Sequence, residues 1–164
     1  RTLDSNPSLH HWLARLGLVQ PASLEEPREL WPYGPWHRSE VRDMWARTTA
    51  ILAALRREVE SHGGRLTVLY VPVRFEVDDT AWALTRKRYR WGWRWDRSAV
   101  FNRLAAVCRD LQIPLVDPRE ALRQAEASGR PAYYVRDAHW NPTGNEVAAH
   151  ALEALARPAL ACGP

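Results

Sequence analysis

The sequence has little cysteine and no long apolar run. Its two cysteines, Cys108 and Cys162, have neither metal-ligand spacing nor the pattern of a disulfide framework. No stretch approaches the roughly 18–20 apolar residues that cross a bilayer, so no transmembrane segment is expected. The N-terminus opens on polar residues rather than a basic and then apolar run, so no signal peptide is read there. Position 1 is Arg rather than Met, as in a piece of a longer polypeptide. The histidines outside the motif discussed below, His10, His11, His37, His62 and His150, show no metal-ligand spacing, and neither metal nor cofactor is expected.

What is present is a folding composition. The chain has 164 residues, 46% of them hydrophobic, enough for one domain with a core. Net charge is +4, a mild excess concentrated in one segment, and nine tryptophans are the compositional anomaly.

Residues 1–37 read as an irregular N-terminal segment with a short helix near Leu9–Leu16, broken by Pro21, Pro27, Pro32 and Pro35. Residues 38–157 read as an α/β domain, and 158–164 as a tail. Val41, Met44, Trp45, Thr48, Ile51, Leu52, Leu55 and Val59 recur at helical spacing, and Gly63-Gly64 stops that helix. Leu66–Val71 reads as a strand buried on both faces. Residues 74–97 have no single period and read as a long loop. A helix follows over Ser98–Leu111, with Phe101, Leu104, Val107, Cys108 and Leu111 inward. Ile113–Val116 is a second strand, and Asp117-Pro118-Arg119-Glu120 carries the signature of a capping box. A short extended piece, Ala132–Val135, precedes a last helix capped by Asn141, with Val147, Ala148, Ala151, Leu152 and Leu155 inward. Strands alternating with helices imply layers packed on a parallel sheet, although two or three strands are few for one.

Asp137-Ala138-His139-Trp140-Asn141-Pro142-x-Gly144 lies between an extended segment and a helix N-terminus. In open α/β sheets such loops carry sites. A histidine can take and return a nucleophile's proton, and a carboxylate two residues away can hold its ring in one tautomer. Alone, Asp-x-His is equally a surface loop with a capping role. Arg86-Lys87-Arg88-Tyr89-Arg90-Trp91-Gly92-Trp93-Arg94-Trp95 is the other unusual segment. Extended, it would place Trp91, Trp93 and Trp95 on one side, facing a glycan or acyl substrate. The other reading tucks the tryptophans onto the core and exposes the arginines. No further basic patch or binding motif supports nucleic acid as a partner.

The string from Asp137 to Gly144 resembles the last conserved block of SGNH (GDSL-type) hydrolases, and the likeness extends upstream through Gly63–Pro72 and Asn102–Asp117. The resemblance implies a three-layer α/β/α flavodoxin-like fold, here its C-terminal part, and acyl hydrolysis or transfer on oxygen without a metal. His139 would be the general base and Asp137 its orienter. Trp140 would wall the site, and Asn141 would hold the helix behind it. The implied substrate is an ester or acylated carbohydrate. The Asp-x-His spacing is similar to an envelope branch acting on exopolysaccharides, which implies a cell-envelope or secreted parent. No Gly-Asp-Ser block is present. Leu3-Asp4-Ser5-Asn6 echoes it without the preceding strand or the glycine. The nucleophile is therefore expected outside this chain, in a missing N-terminal part of the same protein, and the isolated chain is expected to be inactive. The alternative is a degenerate, non-catalytic module of the same fold that binds glycans or a partner.

Overall fold

The computed structural model describes residues 27–34, 39–135 and 138–160. The expected helix at Leu9–Leu16, Ser5 and Cys162 lie outside them. A 3₁₀ turn over Arg28–Tyr33 leads to α1 (Ser39–Ser61), β1 (Val68–Leu69), α2 (Arg74–Val77), α3 (Asp79–Tyr89), α4 (Ala99–Asp110), β2 (Leu115–Val116), α5 (Arg119–Ala127) and α6 (Pro142–Leu160). The two strands are parallel, with Val68 opposite Leu115 and Leu69 opposite Val116. Bonds from Val68 N–H to Pro114 O and from Tyr70 N–H to Val116 O, both 2.9 Å, extend the pairing. The β–helix–β order is the α/β arrangement the sequence implies.

Helix ends follow local chemistry. Gly63 and Gly129 take the left-handed conformation that glycine adopts without steric penalty. At the first, Gly63 N–H bonds Glu60 O and Gly64 N–H bonds Val59 O, which closes α1 in a Schellman motif. The same bond pattern closes α3 at Arg90 and α4 at Gln112, where non-glycine residues hold positive φ.

Four expectations are corrected. Residues 74–97 are not one long loop, because they form α2 and α3. Asp78 accepts the Ala81 N–H and caps α3, a start signal hidden in a stretch crowded with arginine. The capping box at Asp117–Glu120 is not made. The Asp117 carboxylate accepts the Arg119 N–H, but Glu120 turns outward to Arg123 and Gln124. Ala132–Val135 is no third parallel strand; within it, Tyr133 makes an isolated antiparallel bridge to Trp140. Finally, the broad apolar stripes of α1 and α6 are buried along only part of their width. Val41 and Trp45 are buried and Leu52 packs beside them, because residues four and seven apart fall on one line of a helix. Met44, Ile51 and Leu55 lie to one flank of that line and are exposed, as are Leu152 and Leu155 of α6.

Two clusters form the core. Val41, Trp45 and Val107 are packed by Trp31, Leu52, Val100, Leu104 and Leu111, joining α1 to α4. Cys108, next to Val107 in α4, is buried as a small hydrophobe, and burial raises its thiol pKa. Val77, Leu122, Ala132 and Tyr133, with Trp140 and Val147, join α2, α5 and α6 beneath the Asp-x-His loop. Leu122 is wholly buried at the centre of this second cluster. Leu122→Ala should therefore lower stability by about 2–5 kcal/mol, read as a fall in the urea unfolding midpoint at unchanged slope.

Candidate functional site

The chain leaves α5 through Gly129 and runs along Ala132 and Tyr133. It reverses and returns through His139 and Trp140 into α6. Tyr134 N–H donates to His139 O at 3.1 Å and Asn141 N–H donates to Ala132 O at 3.0 Å, so both arms of the loop are tied. Asn141 locks the base. Its Nδ2 donates to Pro131 O at 2.6 Å and Tyr133 O at 3.3 Å, while its Oδ1 accepts the Gly144 N–H at 3.1 Å. Asn141 is thus the cap of α6, as its place before Pro142 predicts. Position 144 admits no side chain, since a Cβ there would lie 2.3 Å from Ala132 O and 2.9 Å from Trp140 Cβ.

One further bond anchors this loop to the rest of the fold. Tyr133, 2% exposed, donates its hydroxyl to Pro72 O at 2.9 Å, in the segment that follows β1. Burial pushes its hydroxyl up to about 12, with the neighbouring Trp140 indole opposing in part. The Trp140 Nε1 nonetheless makes no hydrogen bond of normal geometry among the described residues. His139 is exposed on the returning arm of the loop, and Trp140 after it is half-buried. Asp137 lies outside the described residues. A hollow of about 530 Å³ lies elsewhere, bounded by Arg42, Trp45, Ala46, Thr49 and Arg103.

The extended arrangement of Trp91, Trp93 and Trp95 is not what the structure holds. Gly92–Trp95 is a tight turn closed by Trp95 N–H on Gly92 O, which splits the three rings. Trp91 is buried and stacks on Trp95 with centroids 4.1 Å apart and planes within 3°. Trp91 also packs on Phe75, Trp82 and Tyr89. Trp95 lies against Gly34, whose missing side chain makes room for the ring. Trp93, between them, is 84% exposed. Stacking aromatic faces and burying their area outweighs one-sided display.

A second constellation sits past the C-terminal ends of β1 and β2, and the sequence reading did not find it. Glu76 is 1% exposed, in α2. Its carboxylate accepts the Tyr33 hydroxyl at 2.6 Å and the Tyr70 hydroxyl at 2.6 and 2.8 Å, with Val73 N–H at 3.4 Å. Nearby, Arg119 holds Asp117 through two parallel bonds of 2.9 and 2.8 Å and lies 3.5 Å above the Phe101 ring. Burial raises the Glu76 pKa, against the two tyrosine donors and Arg119. Burial also works on Asp117, but there the Arg119 contacts outweigh it and hold the carboxyl below its usual range. Burial and the Glu76 charge push both tyrosine hydroxyls far above the ordinary phenol range. The available signal was an acid between two apolar residues, Phe75-Glu76-Val77, just past a strand.

An acid whose pKa is raised by folding binds its proton more tightly in the native state. Its contribution is full below the unfolded carboxylate pKa and is lost as pH rises through the folded value. Glu76→Gln carries no such dependence. The stability of the wild type relative to Glu76→Gln should therefore fall as pH is raised from acid towards neutral, measured by paired urea melts. Glu76→Leu, which leaves both hydroxyls without an acceptor, should be less stable than Glu76→Gln by about 2–4 kcal/mol at any pH in that range.

Comparison with known proteins fits this geometry. The family model described as "ALGX: SGNH hydrolase-like domain, acetyltransferase AlgX" matches residues 31–162. A curated relative, the probable alginate O-acetylase AlgJ of Pseudomonas putida (strain KT2440), is 29% identical over 115 residues, covering 70% of this chain and 28% of that protein. A solved structure, the O-acetyltransferase domain of Pseudomonas putida AlgJ, superposes with a TM-score of 0.61 at 25% identity, over 84% of this chain and 48% of that one. The chain thus spans about half the length of the solved relative and less of the curated one. The likeness to SGNH hydrolases read from Asp137–Gly144 holds for the fold as a whole. The chain belongs to the SGNH hydrolase-like family of the acetyltransferase AlgX.

Proposed function

We propose that this chain is part of an O-acetyltransferase that places acetyl groups on hydroxyls of an acidic exopolysaccharide of the alginate type. The observation that carries the reading is the clamped loop at the head of α6. It presents an exposed histidine from a rigid base, in a chain whose relatives are named as alginate O-acetylases. His139 acts as general base and Asp137 orients its ring. The serine nucleophile comes from the remainder of the polypeptide.

The chemistry balances as two transfers. The serine oxygen attacks the acetyl carbonyl of a donor ester, its proton passes to His139, and the donor's alcohol leaves with that proton. A sugar hydroxyl then attacks the acetyl-serine, gives its proton to His139, and the serine is regenerated with the proton returned. Hydrolysis is the same second step with water in place of the sugar. Trp140 forms the wall beside the histidine, and Asn141 keeps the helix start from shifting beneath it. A base must be held within a fraction of an ångström of its proton, which is what the Tyr133–Pro72 bond and the Asn141 lock provide.

In the longer polypeptide that carries this chain, His139→Ala should lower acetyl transfer to an oligouronate by about 10³-fold or more, and Asp137→Asn by a similar factor. The measurement is incorporation of labelled acetyl followed by mass spectrometry. The 164-residue chain alone should not hydrolyse p-nitrophenyl acetate. Hydrolysis by that chain, abolished in His139→Ala, would sink the assignment of the nucleophile to the rest of the protein. Full transfer by His139→Ala in the longer polypeptide would favour the non-catalytic module instead.

A further inference from the structure

The end of α3 and the turn after it form a surface that the acetyl-transfer chemistry does not use. Arg86, Lys87, Arg88, Arg90 and Arg94 are all exposed, and none makes an ion pair among the described residues. Arg97 is the exception in this stretch, since it is taken by Asp79. Asp96, the one acid of the segment, accepts the Ser98 N–H. Five cations within nine residues create a local field stronger than the net charge of +4 suggests.

The arrangement is held in place. The α3 helix closes at Arg90 through Trp91 N–H on Arg86 O at 2.9 Å, so the chain turns back on the helix end. The Trp91–Trp95 stack makes a solid base for the turn between them, and Asp96 N–H on Tyr33 O ties that base to the 3₁₀ turn. Trp93 and Arg94 occupy the two central positions of the turn. Arg94 lies 5.2 Å from the Trp93 ring centroid, and Trp93 remains 84% exposed. A large aromatic ring held at a turn tip beside Arg94, next to a helix end that carries four more exposed cations, marks a surface built to be covered.

We infer that this surface binds the acidic polysaccharide chain, with Trp93 stacking on a sugar ring and the surrounding guanidiniums holding its carboxylates. The inference rests on the proposed function for the identity of the anion. Guanidinium groups match carboxylates in a planar, two-bond geometry that a line of uronates repeats. Arg86, Lys87 and Arg88 fan out around the helix end, roughly 100° apart, and Arg94 stands at the turn tip, so the cations are spread over a surface rather than gathered on one point. That suits a chain ligand better than a single small anion.

The test uses the chain with a hexameric mannuronate oligosaccharide as probe and cellohexaose as its neutral counterpart. Titration calorimetry should give binding to the uronate, little to cellohexaose, and a steep loss on raising salt from about 0.05 to 0.5 M. The double variant Trp93→Ala/Arg94→Ala should weaken uronate binding about tenfold, with an unchanged melting temperature because both side chains are exposed. Lys87→Gln/Arg88→Gln, which leaves the tryptophan in place, should weaken it by a smaller factor and flatten the salt dependence. Unchanged affinity in both variants overturns the inference. So does equal binding of cellohexaose, or tighter binding of phosphatidylglycerol vesicles or oligodeoxythymidylate than of the uronate. Arg109→Gln, an exposed change outside this segment, should bind the uronate like the wild type. Uronate binding without acetyl transfer by the longer polypeptide would leave this surface standing and remove the transferase reading. Transfer without surface-dependent binding would do the reverse.

Discussion

A single buried carboxylate organises this fold. Glu76 has almost no contact with water, so its oxygens must be satisfied by protein, and the groups that satisfy them come from separate stretches of chain. Tyr33 arrives from the 3₁₀ turn and Tyr70 from the end of β1. The Glu76 carbonyl in turn accepts from Arg123 of α5. The loop from Tyr70 to Glu76 is thereby fixed at both ends, and Pro72 within it receives the Tyr133 hydroxyl. The histidine loop is therefore positioned through two hydrogen-bonded steps from Glu76. Leaving one member of such a network unsatisfied costs more than its own bond contributes.

The same short helix, α2, divides two kinds of core. Phe75 faces the aromatic cluster of Tyr33, Trp82 and Trp91, whose rings meet edge-on or tilted. Val77 faces Leu122 and Tyr133 under the loop. The successive residues Phe75, Glu76 and Val77 thus serve the tryptophan-rich segment, the polar network and the histidine loop. A four-residue helix rarely has stability of its own. Here its conformation is set by what each of its side chains must reach.

Much of this was legible in the sequence where the signal is local. The helix of α1 and its Gly63 stop, the apolar face of α4, the Asn141 cap and the places of the two parallel strands follow from local pattern and capping chemistry, but the first strand is only Val68–Leu69, and Thr67 and Val71 beside it are exposed rather than buried on both faces as Leu66–Val71 was expected to be. The Asp137–Gly144 string carried the family. What could not be read depends on long-range partners. Glu76 and Tyr33 are 43 residues apart, and nothing near either one announces the other. The tryptophans alternate in the sequence, and only the turn at Gly92 decides that two go in and one goes out. The α2–α3 region was masked by its own charge, because arginines on a helix surface dilute the apolar period that would reveal it. Arg119 was read as part of a cap when its guanidinium belongs to Asp117 and the Phe101 face.

Both arms of the loop that carries His139 are gripped. Tyr133 and Trp140 face each other across the bridge, Asn141 ties both arms, and Gly144 is sealed against Ala132 by contact too close for any other residue. Such a frame couples the two arms. A change that loosens Asn141 releases the head of α6 and the arm from Pro131 to Tyr133 together, so their backbone amides should open to solvent as one cooperative unit.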